Sequence, residues 1–486
     1  MILNKTITKA IERPIKVLQY GEGNFLRGFV DEMIDIANEK GVFDGNILVV
    51  KPISFGNLEA FQRQDNQYTL LLRGMENGEK EERVRCITSI GDAVDCIEDY
   101  ESYEKYYTLD TLRFIVSNTT EAGIVFDETD VYEAKPPKTY PGKLTKLLHK
   151  RYEHYKGDSS KGLIIIPCEL IENNGPALKK CVLQYSELWG LGEAFTHWIE
   201  DSCIFCSTLV DRIVTGYPRD EVQSLYEQLG YEDALLDTGE LFALWVIESE
   251  KPINEELPLD QAGLPVIFTD NQKPYRERKV RILNGAHTSF VLASYLAGND
   301  TVGESMSDAE IREFMKQTIF DEIIPTLTLP KQELLDFAHA VIERFENPFI
   351  RHALLSISLN SVSKWKARCL PSFKEYVQQY DKLPEHLTFS LAALLLFYKS
   401  NEKRNGVLIG KRGSDEYSIQ DDEAVLEFFA AHSELPTREY VEKFLSNTKF
   451  LGEDLTIYNG LVDKISTYIN EVEMNGIREV IAHINQ

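Results

Sequence analysis

Three polar residues interrupt an apolar helical run in KVRILNGAHT: Lys279, Asn284 and His287. At roughly 100° per residue, with Lys279 at zero, His287 falls near ~80° and Asn284 near ~140°, so all three share one broad helix face. A packed core does not select this trio, because each buried polar group needs a partner. A carbonyl/alcohol redox pair does: an amine exchanges the hydroxyl proton, an amide N–H steadies the oxyanion, and an imidazole orients the substrate. Lysine suits the task only if desolvation or nearby positive charge lowers its pKa from about 10.4 toward neutrality. Arg278 and Arg281 are its neighbours in sequence. The competing reading is a solvated basic helix start followed by a satisfied core histidine. Pattern alone leaves the two level.

A second candidate lies near the N-terminus. IKVLQYGEGNFLRGFVDEMID reads as a strand, a GxG turn and a helix, in that order. Gly21 and Gly23 let the backbone turn tightly and approach a pyrophosphate, which would rest on the helix N-terminus beside Asn24 and Phe25. The third glycine of the usual fingerprint is absent: position 26 is leucine, and the next glycine is Gly28. Arg27 either adds charge to the phosphate site or is solvated. The second strand, NILVVK, ends in Lys51, where NAD-specific folds carry an acid for the ribose hydroxyls. That lysine permits a 2′-phosphate or points to solvent, and the residues leave NAD versus NADP open.

These motifs need elements to hold them. IKVLQYG, NILVVK, LRFIVSN and LIIIPCE are buried-strand candidates separated by helical patterns, which argues for a parallel sheet with crossover helices. Asn77-Gly78, between two strand-like runs of 68–90, predicts an inserted hairpin. From about residue 276 onward long amphipathic helices dominate and strand signals almost vanish. GVLIGKRG (406–413) is expected as a surface turn, since it is one residue short of a phosphate loop and lacks its Ser/Thr. The expected plan is an α/β Rossmann-like domain over 1–275 and a mostly α-helical substrate domain over 276–486.

Composition narrows the function further. The 486 residues carry a formal charge of −26, which disfavours nucleic acid and anionic membrane surfaces as partners. An anionic small molecule must therefore be met by a local cluster of positive groups. The N-terminal segment mixes charges without an apolar core, and apolar runs such as LAALLLF fall far short of a bilayer span. Of seven cysteines, Cys203 and Cys206 form one CxxC with no second pair, so no zinc site is expected. Reduced thiols in a cytoplasmic protein are the expectation.

K-x4-N-x2-H after a GxGxF turn resembles the polyol-specific long-chain dehydrogenases, the mannitol dehydrogenase family. STLVDRIVTG (207–216), IIPCELIENNG (165–175) and NTTEAG (118–123) are similar to further segments of that family. The resemblance implies a metal-independent oxidoreductase acting on a CH–OH group, with Lys279 as acid/base and Asn284 with Asn174 as the oxyanion site. It places His287 and Asp211 on substrate hydroxyls, and Asn118, Thr119 and Glu121 beside the cofactor; from the residues alone, Glu121 is equally a helix-start acid. Asp211 and Arg212 also permit a structural ion pair. Leu170 stands where the family often has asparagine. In LLSISLNSVSK (354–364), Lys364 matches a family lysine, a candidate for a substrate carboxylate, while Ser356 replaces an arginine. The combined segments are closest to the sugar-acid reductases of the family, which favours NAD despite Lys51. The rivals are a polyol-acting relative, a nucleotide-binding sensor without turnover, and an acidic scaffold. Oligomeric state is not legible.

Overall fold

The apolar runs of the N-terminal half become the strands of one parallel sheet. β1 (Ile15–Tyr20), β2 (Asn46–Lys51), β3 (Ile90–Asp95), β4 (Phe114–Ser117), β5 (Ile164–Pro167) and β6 (Ile204–Phe205) lie in the order β3-β2-β1-β4-β5-β6. Every pair is parallel. Ile47 to Val50 and Ile164 to Ile166 are wholly buried because both faces are covered, which is why these strands read as continuous apolar runs. Alternate residues feed two cores: Val17, Ile47 and Val116 one, Leu18, Leu48 and Ile115 the other. The strand order reverses between β1 and β4, and such a switch point opens a crevice at the strand carboxyl ends.

The computed structural model describes residues 1–120 and 122–486. They divide into two compact units: Met1–Gly74 with Lys80–Gln272, and Met75–Glu79 with Lys273–Gln486. Among the described residues no helix is long and apolar enough to cross a membrane. The expected hairpin is present, Tyr68–Glu76 and Glu79–Ile87, with Asn77 and Gly78 at φ 53° and 79°. Both positive values are what a two-residue turn matched to strand twist demands.

The second unit is mostly helical. Its most buried helix, Glu385–Tyr398, contains LAALLLF and is apolar on all sides. One expectation is corrected here. GVLIGKRG contains a strand, Val407–Arg412, which pairs with Lys403–Arg404 and Asp415–Ile419 in a small antiparallel sheet. Asn405 and Gly406, at φ 50° and 82°, make a hairpin turn of the same kind as Asn77-Gly78. Gly410 is small because the Tyr417 ring lies over it: a Cβ there would meet that ring at 2.2 Å.

Candidate active site

At the switch point, the ends of β1 and β4 face each other. Gly21 N–H donates to the Val50 carbonyl (3.0 Å), and Asn118 N–H to the Tyr20 carbonyl (3.2 Å). Gly21 has φ 122°, and a Cβ on it would sit 3.3 Å from the Asn118 carbonyl. A side chain is excluded on both counts. A Cβ on Gly23 would meet nothing within 4 Å, so bare backbone there faces open space. Gly28 does the packing of a third glycine, since a Cβ would press on Val214 at 3.0 Å. A cavity of about 670 Å³ opens over this turn, lined by Gly21, Gly23, Ile53, Asn118, Tyr140 and Lys143 among others. Burial lowers the Lys143 pKa, and its Nζ donates to the Lys138 carbonyl at 2.8 Å. Exposed glycine backbone, a helix start and this ammonium fit the pyrophosphate of a dinucleotide.

A second cavity of about 530 Å³ shares Asn118, Thr120 and Ala122 with the first and adds Phe25, Glu169, Leu170 and Val210. Glu169, 2% exposed, organises its wall. One carboxyl oxygen accepts from Thr119 N–H (3.0 Å) and Thr119 Oγ1 (2.9 Å), the other from Ser117 Oγ (3.1 Å). Burial raises its pKa against these hydrogen bonds.

In the second unit, the Lys279 helix is not regular. Lys273–Arg278 is α-helical, Lys279–Asn284 winds as a π-helix, and Gly285–Leu296 resumes the α form. The shared face read at 100° per residue is therefore corrected, because a π turn takes more residues per revolution; such turns often mark functional sites. Lys279, Asn284 and His287 are each half-buried. Thr288 Oγ1 occupies the Asn284 carbonyl at 2.9 Å. The His287 ring stacks on Phe345 at 4.2 Å and meets His352 edge-on at 5.7 Å. Its Nε2 is buried without a hydrogen-bond partner among the described residues. Burial, then the charges of His352, Arg344, Arg368 and Lys364, hold its pKa well below the usual imidazole range. The ring is neutral at physiological pH and free to meet a hydroxyl. Arg281 does not bear on Lys279 as a free charge, since Glu375 takes its guanidinium at 2.6 and 2.9 Å.

Residues 15–261 match the mannitol dehydrogenase Rossmann domain, and residues 271–473 match the mannitol dehydrogenase C-terminal domain. The chain belongs to the mannitol dehydrogenase family. It is thereby an oxidoreductase of the dehydrogenase class. An altronate oxidoreductase of Yersinia pestis is 44% identical over 99% of both chains, and one of Escherichia coli O7:K1 is also 44% identical over 99% of both. A solved D-sorbitol dehydrogenase superposes with a TM-score of 0.79 at 22% identity, covering 99% of this chain and 100% of that one. The Pseudomonas fluorescens mannitol 2-dehydrogenase ternary complex with NAD and D-mannitol gives 0.67 at 21%, covering 100% and 99%.

Within this family member the expected residues separate into two groups. Gly21, Gly23, Asn118 and Thr119 line the first cavity, and Phe25 the second. Glu121 lies outside the described residues. Arg27 is corrected: it neither faces the phosphate turn nor is solvated, but is 5% exposed over the Tyr68 ring, with its guanidinium on the Leu235 carbonyl and Asn24 Oδ1. Lys51 is 1% exposed, and its ammonium is held by Asp95 (2.7 Å) and the Ile53 carbonyl (2.6 Å). The register places Asp95 beside it on β3. Arg212 pairs with Glu32, not with Asp211, which is buried at the end of Ser207–Asp211.

Asn174 is also corrected as an oxyanion donor. It is 1% exposed and lines neither cavity. Its Nδ2 meets the carbonyls of Pro167 (3.0 Å), Glu169 (3.1 Å) and Thr208 (3.3 Å), and its Oδ1 accepts from Gly175 and Thr208 N–H at 2.9 Å each. Both amide hydrogens are committed to tying β5 to the next helix and strand. The position that faces the cavity is Leu170, 62% exposed. Sequence reasoning missed Glu169 and Lys143. A buried acid beside the noted Cys168 was the one available signal, and Lys143 gave none.

Proposed function

We propose that this enzyme uses NAD(H) to interconvert D-tagaturonate and D-altronate, with Lys279 rather than a metal as the acid/base. The full-length identity to altronate oxidoreductases carries the substrate assignment. NADH, when bound, supplies the hydride that reduces the keto carbon. In that direction the Lys279 ammonium donates a proton to the nascent alkoxide; in oxidation its neutral amine accepts the hydroxyl proton. Asn284 donates an amide N–H to the developing oxyanion, without help from Asn174. His287, neutral and with an unpartnered Nε2, orients a substrate hydroxyl; Asp211 takes another.

NAD is favoured over NADP by electrostatics at the end of β2. A 2′-phosphate needs an available cation, whereas the Lys51 charge is spent on Asp95 and the lining there is Pro52 and Ile53. The test is reduction of tagaturonate followed by NADH and NADPH absorbance in parallel. Turnover with NADH at least tenfold more efficient is expected. Lys279→Ala should lower kcat by about 10³-fold or more, within the range of acid–base catalysis plus lost positioning, while leaving NADH affinity intact. Undiminished turnover refutes the lysine, and failure on tagaturonate alongside activity on fructuronate or mannitol refutes the substrate.

A further inference from the structure

The helix Ser361–Arg368 carries Lys364 and Arg368 one turn apart and packs on the helix of Asn284, His287 and Thr288. Arg368 Nη1 donates to Thr288 Oγ1 at 3.3 Å, and the Cys369 thiol to the Gly285 carbonyl at 3.6 Å, so the two helices are registered at this point. A Cβ on Gly285 would come within 3.2 Å of the Arg368 carbonyl, which explains the small residue in NGAH. Lys364 Nζ donates to the Ile357 carbonyl at 2.8 Å. His352 stands against His287.

This is a concentration of positive charge in a protein of net charge −26. Arg368 and Lys364 form no ion pair among the described residues. Both are half-buried, and burial lowers the pKa of each. Asp421, which acts on Lys364, is engaged by the Tyr398 hydroxyl at 2.6 Å and the Val362 N–H at 3.4 Å. Half-buried like charges raise one another's cost, and a visiting anion relieves it.

We propose that Arg368 is the principal carboxylate anchor for the sugar-acid substrate, with Lys364 as the second cation. This rests on the sugar-acid reading above and adds the residue that separates acids from neutral polyols. A guanidinium offers two parallel N–H donors to a carboxylate, a geometry that an ammonium lacks. Arg368 sits one helix layer from Asn284 and His287, the groups assigned to the reacting end and to a hydroxyl.

The test uses the full-length enzyme with Arg368→Ala and Arg368→Lys. For Arg368→Ala, kcat/KM on tagaturonate should fall by about 30- to 100-fold, the value of a charge-assisted hydrogen-bond pair. The loss should fall chiefly on KM, since the carboxylate is bound equally in ground and transition states. NADH affinity should not move, millimolar guanidinium should restore part of the activity, and Arg368→Lys should lie between. Unchanged kcat/KM, an equal loss of NADH affinity, or a loss confined to kcat and insensitive to guanidinium would overturn the proposal. A wild-type enzyme that reduces a different keto acid refutes tagaturonate alone, and the comparison is then made on that acid. A wild type that acts only on neutral ketoses overturns both.

Discussion

Replacing Glu169 by alanine should loosen the wall shared by the two cavities of the first unit. Its carboxylate holds three donors: Ser117 Oγ at 3.1 Å, Thr119 N–H at 3.0 Å and Thr119 Oγ1 at 2.9 Å. Ser117 is fully buried, so its hydroxyl has no access to water once the carboxylate is gone; the cost of that orphaned group is about 1–3 kcal/mol. Thr119 is half-buried, and water can replace part of what its two donors lose, at about 0.5–1 kcal/mol each. The total is about 3 kcal/mol, or a melting temperature lower by roughly 6 °C for a unit of this size. Because the same turn presents Asn118 to both cavities, the NADH dissociation constant should rise about tenfold. Glu169→Gln is the control. Its carbonyl oxygen keeps both Thr119 donors, its amide donates to Ser117 Oγ, and it mimics the protonated acid that burial favours, so it should cost less than about 1 kcal/mol. Differential scanning fluorimetry and NADH fluorescence titration read both effects. If alanine changes neither quantity, or glutamine damages as much as alanine, the hydrogen-bond account is wrong.

Asn174→Ala should lower stability by about 3 kcal/mol, since it orphans buried N–H groups of Gly175 and Thr208, and should leave kcat of the surviving folded enzyme within about threefold of wild type; a kcat loss near 10³-fold in well-folded protein would restore it to the oxyanion site. Asp31 is fully buried, and burial pushes its carboxyl up to about 8 despite the Arg27 charge and the Tyr68 hydroxyl. Its folded pKa exceeds the unfolded one, so the stability it contributes is present in full below about pH 4 and drains away as the pH rises through about 8. Asp31→Asn, which copies the neutral acid, should flatten the fall of melting temperature across that range; an unchanged slope would contradict the assignment.

The fold was legible because buried parallel strands and a two-residue Asn-Gly turn write short, local patterns. β1, β2, β4 and β5 and the Asn77-Gly78 hairpin are where periodicity puts them. The sheet at Val407–Arg412 was missed by weighing a superficial glycine motif above the Asn405-Gly406 signal beside it. At the site, the glycine turn and the Lys279–His287 stretch were legible, one from backbone freedom and the other from polar groups in an apolar run. Arg27, Lys51 and Asn174 were misread because their partners are remote in sequence: Leu235, Asp95 and Thr208. Arg368 was invisible for the same reason, since its meaning comes from a helix eighty positions earlier.

The wide turn at Lys279–Asn284 imposes a constraint on length as well as on identity. It stores one residue more than regular winding would, so deleting any single residue there returns the helix to α geometry. Everything that follows would then rotate by about 100° about the axis, carrying Asn284 and His287 away from Lys279 and unseating Gly285 from Arg368. Insertions and deletions in this stretch should be purged even where substitutions at Val280 or Ile282 are tolerated.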